Sequence, residues 1–157
     1  MTKSRIMASY VFATMLTLVL PSTAAADTPA DVVNKLFAGM LAGDGAAISA
    51  LVEADARLDR LRPDGSLHHG TFTDWINWVD QQEPGAANEQ IFAVKTLSSS
   101  PALATVWAPF ILHYKGELVG CGVNQFTLAK SNAGWRIMYG IDMPHKGDCT
   151  KFRELIG

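Results

Sequence analysis

Cysteine is nearly absent: Cys121 and Cys149 are the two in 157 residues. So low a count excludes a cysteine-rich metal module or a multiply bridged scaffold. Of the four histidines only His68 and His69 lie close together, and adjacent residues do not have a metal-ligand spacing. No metal or cofactor is therefore expected. Basic residues form no run, and 13 Lys and Arg against 15 Asp and Glu leave a formal net charge of −2, which argues against nucleic acid as a partner. No low-complexity tract, internal repeat or Pro/Gly-rich linker marks a second domain.

Long apolar runs are also lacking, with one informative exception. Lys3 and Arg5 precede an apolar stretch from Met7 to Leu20, and the segment ends in Ala24-Ala25-Ala26. A positive n-region, an apolar run of about 14 residues and an Ala-x-Ala site predict a secretory signal peptide over residues 1–26. The competing reading, a membrane anchor, needs roughly 20 apolar residues. Cleavage would leave residues 27–157 as a single domain with a formal charge of −4, periplasmic or secreted and free of the membrane.

Export places both cysteines where thiols oxidise, so a Cys121–Cys149 disulfide is expected. It would close a loop of about 29 residues, worth on the order of 3 kcal/mol. A buried free Cys121 or a reactive thiol are the alternatives.

The folded part begins at Thr28, a suitable N-cap with Pro29 at the first helical position and Asp31 in the first turn. Val32, Val33, Leu36, Phe37, Met40 and Leu41 share one helical face. Gly43 can end this helix, and Asp44 can cap a second, short one. From Ala54 the apolar period becomes two, and Pro63-Asp64-Gly65 marks a turn, so a small hairpin with a return strand over Ser66–His69 is predicted. A third helix follows over Thr71–Val79, with Thr71 as cap and Asp74 three residues on. A strand is predicted from Asn88 to Thr96 and a turn over Ser98–Pro101.

The stretch Ala102–Asp142 reads as a three-stranded antiparallel meander around which the rest is organised. If Lys115-Gly116 is a hairpin turn, Tyr114 faces Glu117, His113 faces Leu118 and Trp107 faces Asn124. If Asn132-Ala133 is the next, Asn124 faces Ile141, Phe126 faces Tyr139 and Leu128 faces Ile137. Leu103, Trp107, Ile111, His113, Asn124, Phe126, Leu128, Trp135, Ile137, Tyr139 and Ile141 are then expected on the core face, and Asp142 on the other. That outer face carries Val106, Phe110, Val119, Cys121 and Met138, too apolar to be fully wet, which predicts a homodimer or a covering C-terminal tail. The expected fold is α+β, a cone in which a curved antiparallel sheet wraps around N-terminal helices.

The segments DARLDRLRPDGSLHHGTFTDWINWV, ALATVWAPF, GCGVNQFTLAKSNAGWRI and the final GDC resemble the nuclear transport factor 2-like superfamily, of cystatin-like fold, and within it the SnoaL-like and "putative lumazine-binding" bacterial branch, over Asp31–Cys149. The resemblance implies a conical domain, on which isomerases, dehydratases, polyketide cyclases, binding proteins and scaffolds all occur. In many members of the branch a histidine precedes the cysteine at position 121; here Gly120 stands there, which implies one proton-transfer group fewer in the pocket wall.

The open end of such a cone would be lined by the third helix and the concave sheet face, so Trp75, Trp78, Trp107, Asn124 and Tyr139 are the candidate ligand-binding residues. Aromatics with a few polar groups suit a small hydrophobic or aromatic ligand; buried aromatics are equally ordinary core. Asn124 is ligand-facing or satisfied by backbone. Asp59 with His68 or His69, and His113, are the candidate acid/base groups, against the alternative of solvated surface side chains. The expected function is an exported binding module, with a cofactor-independent isomerase, dehydratase or cyclase using an Asp/His general base as the alternative.

Overall fold

A computed structural model describes residues 26–157; the expected signal peptide, but for Ala26, lies outside the described residues. Helix α1, Pro29–Ala42, starts in a capping box: the Thr28 hydroxyl accepts from the Asp31 N–H at 3.2 Å, and the Asp31 carboxylate accepts from the Thr28 N–H at 2.9 Å. It ends at Gly43, whose φ of 67° is left-handed. Asp44 caps α2, Gly45–Ser49. Strand β1, Val52–Leu61, turns back into the two-residue β2, Leu67–His68, and Thr71 caps α3, Phe72–Val79.

Strands β3, Ala87–Ile91, and β4, Lys95–Ser100, replace the single strand expected from Asn88 to Thr96. The chain breaks between them, with Ala93 at a φ of 45°, and both pair with β5, Leu103–Tyr114. The strand β4 also runs through most of the turn expected over Ser98–Pro101. Strands β6, Glu117–Ser131, and β7, Gly134–Pro144, complete the meander. The sheet order is β2-β1-β7-β6-β5-β3, with every pair antiparallel except β1 with β7, which is parallel. A C-terminal helix α4, Cys149–Ile156, occupies the expected tail.

The register departs from simple counting at two bulges. Tyr114 faces Glu117 and His113 faces Leu118, but Leu112 then faces Gly120, so Val119 is the additional residue. Beyond it Ala108, and not Trp107, faces Asn124. In the next hairpin Leu128 faces Ile137, but Thr127 faces Tyr139, so Met138 is additional and Asn124 faces Asp142 instead of Ile141. A slip of one residue sends each following side chain to the other side of the pleat. The concave face accordingly takes Ala104, Val106 and Ala108 from β5 and Gly140 and Asp142 from β7. Leu103, Trp107, Ile111 and His113, and Tyr139 and Ile141, belong to the convex side, which corrects the expected core face.

The buried face of α1, Val32, Val33, Leu36, Phe37 and Met40, packs into this concavity against Val106, Ala108, Phe126, Leu128 and Ile137. Phe37 meets Phe126 edge to face at a centroid distance of 6.0 Å. Gly140 permits that packing: a Cβ there would stand 2.9 Å from Leu58 and 3.1 Å from the Phe126 ring. On the convex side Ile111, Cys121 and Phe152 form a second cluster with Phe92, Val123 and Ile156. The Cys121–Cys149 disulfide, with a Cα separation of 5.6 Å, fastens α4 there.

Candidate functional site

The mouth of the cone is a cavity of about 450 Å³ enclosed by α1, the β1–β2 hairpin, α3 and the concave strands. Its apolar wall is Leu36, Phe37, Leu58, Phe72, Trp75 and Phe126, and its polar groups are Asp59, Arg60, His68, His69, Thr71, Asp74, Glu89, Asn124 and Asp142. Among the described residues no cluster of three or more His, Cys, Asp or Glu side chains is arranged to hold a metal ion.

Four strands of the sheet, β1, β3, β6 and β7, bring Arg60, Glu89, Asn124 and Asp142 together. Asn124 of β6 donates from Nδ2 to Glu89 Oε1 at 2.6 Å, joining strands that are not neighbours in the sheet. Asp142 of β7 is 8% exposed and accepts from Arg60 Nε at 2.9 Å on both oxygens. Burial pushes the Glu89 carboxyl up to about 7; the Asn124 hydrogen bond opposes this, the Asp142 charge adds to it, and Arg60 opposes it. A carboxyl so placed changes its protonation near neutrality. Burial and its charge partners also act on Arg60, and the Asp142 hydrogen bonds raise its pKa above the ordinary guanidinium value.

Asp59 is the opposite case. Burial alone would raise it, but Arg57 donates to both its oxygens at 2.9 and 2.7 Å, Tyr139 Oη donates at 3.1 Å, the Gly70 N–H donates at 3.3 Å, and His69 Nδ1 lies 3.4 Å away. Together these hold its carboxyl at about 2. A carboxylate held that low is a poor proton acceptor at neutral pH and serves instead to fix Arg57, Tyr139 and the loop to α3. The same contact pushes the Tyr139 phenol upward, through burial and then the Asp59 carboxylate.

Of the residues singled out from the sequence, Asp59, His68, Trp75 and Asn124 line the cavity, with His69 beside them. His113, Trp78, Trp107 and Tyr139 do not. Trp107 stands beyond the Val119 bulge on the convex side, with Lys95 Nζ 5.1 Å from its ring centroid. Trp78 is 40% exposed and lies against Tyr114, ring centroids 6.3 Å apart. Tyr139 touches the site only from behind, through Asp59. Gly120 also lies outside the lining, so the absent histidine takes nothing from the cavity wall. Glu89, Asp142 and Arg60 were not among the candidates. Ala87, Glu89 and Ile91 alternate inward, a period-two signal that would have placed the Glu89 carboxyl on the concave side; Asp142 was counted outward because the Met138 bulge is not written in the periodicity.

A curved sheet closed over α1, with a pocket at its open end, defines a nuclear transport factor 2-like protein of cystatin-like fold. Residues 24–139 match the family described as "Putative lumazine-binding", and the chain belongs to that family. The fold is shared with an NTF2-like protein of cystatin-like fold from Novosphingobium aromaticivorans, at 16% identity and a TM-score of 0.58 over 81% of this chain and 85% of that one. It is shared also with a protein from Nostoc punctiforme, at 11% identity and a TM-score of 0.57 over 78% and 97%. A protein from Shewanella baltica gives 16% and 0.54 over 75% and 91%. No curated protein matches the sequence.

Proposed function

We propose that the protein binds a small molecule with a flat apolar body in the cavity at the mouth of the cone. The observation that carries this reading is the cavity itself: about 450 Å³, walled by Phe37, Phe72, Trp75 and Phe126, with Asn124 and Glu89 at its floor. Sites for small ligands have this size and this mixture of apolar wall and few convergent polar groups. The description of the family as lumazine-binding favours the same class of ligand. Differential scanning fluorimetry over a panel of aromatic and heteroaromatic compounds tests it, since a ligand that binds only the folded state raises Tm. A shift abolished by Trp75→Ala supports the reading. A panel that leaves Tm unmoved, or a shift indifferent to Trp75→Ala and Phe126→Leu alike, removes it.

A second reading is favoured by one observation, the carboxyl of Glu89 poised near neutrality inside the cavity. It makes the protein a cofactor-independent isomerase, dehydratase or cyclase in which Glu89, and not Asp59 or a histidine, moves the proton.

We further propose that the chain is exported and pairs through the convex sheet face. Leu97, Leu103 and Met143 are 72%, 43% and 48% exposed there, apolar area whose burial would stabilise a dimer. A strict monomer in sedimentation equilibrium would remove the second of these.

A further inference from the structure

We propose that the ligand is an organic cation, a planar aromatic or heteroaromatic body whose amidinium or protonated amine docks on Glu89. This rests on the small-molecule reading above. Its first support is the balance of charge in the cavity. Asp59, Asp74, Glu89 and Asp142 line it, and Arg60 is the one permanently charged base among the lining residues, with the imidazoles of His68 and His69 beside it.

Two of these acids have a cationic partner, and a third, Asp74, is exposed and takes a neutral hydrogen bond. Asp142 is held by Arg60, with Nη2 to Oδ2 at 2.7 Å, Asp59 by Arg57, and Asp74 by the Thr71 hydroxyl at 2.7 Å. Glu89 takes a hydrogen bond from the neutral amide of Asn124 on Oε1, and among the described residues no base forms an ion pair with it. From β7 it faces Asp142, from β1 Arg60, from β6 Asn124; the residues that α1 gives to the cavity, Leu36 and Phe37, are apolar.

A half-buried carboxylate with no ion-pair partner, and Arg60 near it already paired to Asp142, is costly, and a bound cation reduces that cost. The cation would at the same time lie among Phe37, Phe72, Trp75 and Phe126, where aromatic faces attract positive charge. An anion would meet Glu89 and Asp142 together. Docking requires the carboxylate form of Glu89, so uptake of the cation releases a proton below about pH 7.

Three ligands on one ring system separate the possibilities: naphthalene-2-carboxamidine, the neutral naphthalene-2-carboxamide, and naphthalene-2-carboxylate, titrated calorimetrically into the wild-type chain and Glu89→Gln. At pH 8 the amidinium binds about tenfold tighter than the carboxamide, the advantage of one charge-assisted hydrogen bond in a half-buried site. That preference shrinks as pH falls below about 7 and is lost in Glu89→Gln. Equal or tighter binding of the carboxamide or the carboxylate at pH 8 overturns the cation proposal and leaves the binding reading standing. So does a preference for the amidinium that survives in Glu89→Gln. Binding of none of the three at millimolar concentration sinks both. The wild-type comparison decides the matter even where Glu89→Gln fails to fold.

Discussion

Asn124 Nδ2 lies 2.6 Å from Glu89 Oε1, a hydrogen bond between β6 and β3 across the floor of the cavity. It favours the ionised form of Glu89 against burial, which favours the neutral one. Replacing Asn124 by Ala removes the opposing influence, so the Glu89 carboxyl should titrate roughly one unit higher, the worth of a single hydrogen bond to a charged group. The side-chain carboxyl carbon chemical shift followed from pH 4 to 10 reports it. A midpoint that stays at its wild-type position would show that Asn124 has no hold on this carboxyl.

Glu89 and Asp59 should give stability opposite dependences on pH. Glu89 binds its proton more tightly folded than unfolded, its pKa rising from the ordinary 4.5 to about 7. The folded chain therefore holds the additional proton, and this group's contribution falls as pH climbs from about 4.5 to about 7. Glu89→Gln should accordingly gain stability relative to wild type at pH 8 compared with pH 4, as read from urea midpoints. Asp59 is lowered from 3.8 to about 2, so its contribution is complete above the ordinary value and is lost as pH falls through about 2. Asp59→Asn should cost about 1–3 kcal/mol at pH 7, because Arg57 and Tyr139 lose a charged acceptor, and little at pH 2.

The disulfide has its own signature. Cys121 is 1% exposed on the convex side, while Cys149 begins α4. Cys149→Ser should lower stability by roughly 2–4 kcal/mol, mostly by freeing the unfolded chain. Phe152, 6% exposed and stacked on the exposed His145 ring at a centroid separation of 4.7 Å, should become accessible, so amide exchange in residues 149–156 should accelerate while that of α1 stays slow. Slow exchange retained in both segments would mean that packing of Phe152 suffices to hold the helix.

Much of this architecture was legible from local chemistry. Thr28, Gly43, Asp44 and Thr71 act at the helix ends because capping depends on neighbours within four residues, which a sequence displays directly. The hairpin turns at Lys115-Gly116 and Asn132-Ala133 fall where they were expected, with Ser131 facing Gly134. The site was less legible because it lies beyond two bulges. Val119 and Met138, 60% and 44% exposed, are ordinary apolar strand residues with no turn chemistry to mark them. Counting across them exchanged Asp142 for Ile141 on the concave side and set Trp107 opposite Asn124. Asp59 was found, but its role could not be read from its type, since Tyr139 and Gly70 reach it only through the parallel pairing of β1 with β7 and the return of the hairpin.

Gly120 tests how far position along β6 determines function. No heavy atom lies within 4 Å of where a Cβ would stand, and the residue is not part of the cavity wall. A side chain at this site meets open space and a strand backbone that tolerates it. Gly120→His should therefore change stability by no more than about 0.5 kcal/mol, as for a surface substitution. Gly140→Ala, on the neighbouring strand β7, should cost about 1–3 kcal/mol, because its methyl would press on Leu58 and Phe126 at 2.9 and 3.1 Å. If Gly120→His leaves ligand-induced thermal stabilisation unaltered while Gly140→Ala reduces it, the cavity framed by Phe126 and Leu58 is the site of binding. An effect of Gly120→His equal to that of Gly140→Ala would move the site toward the free end of β6.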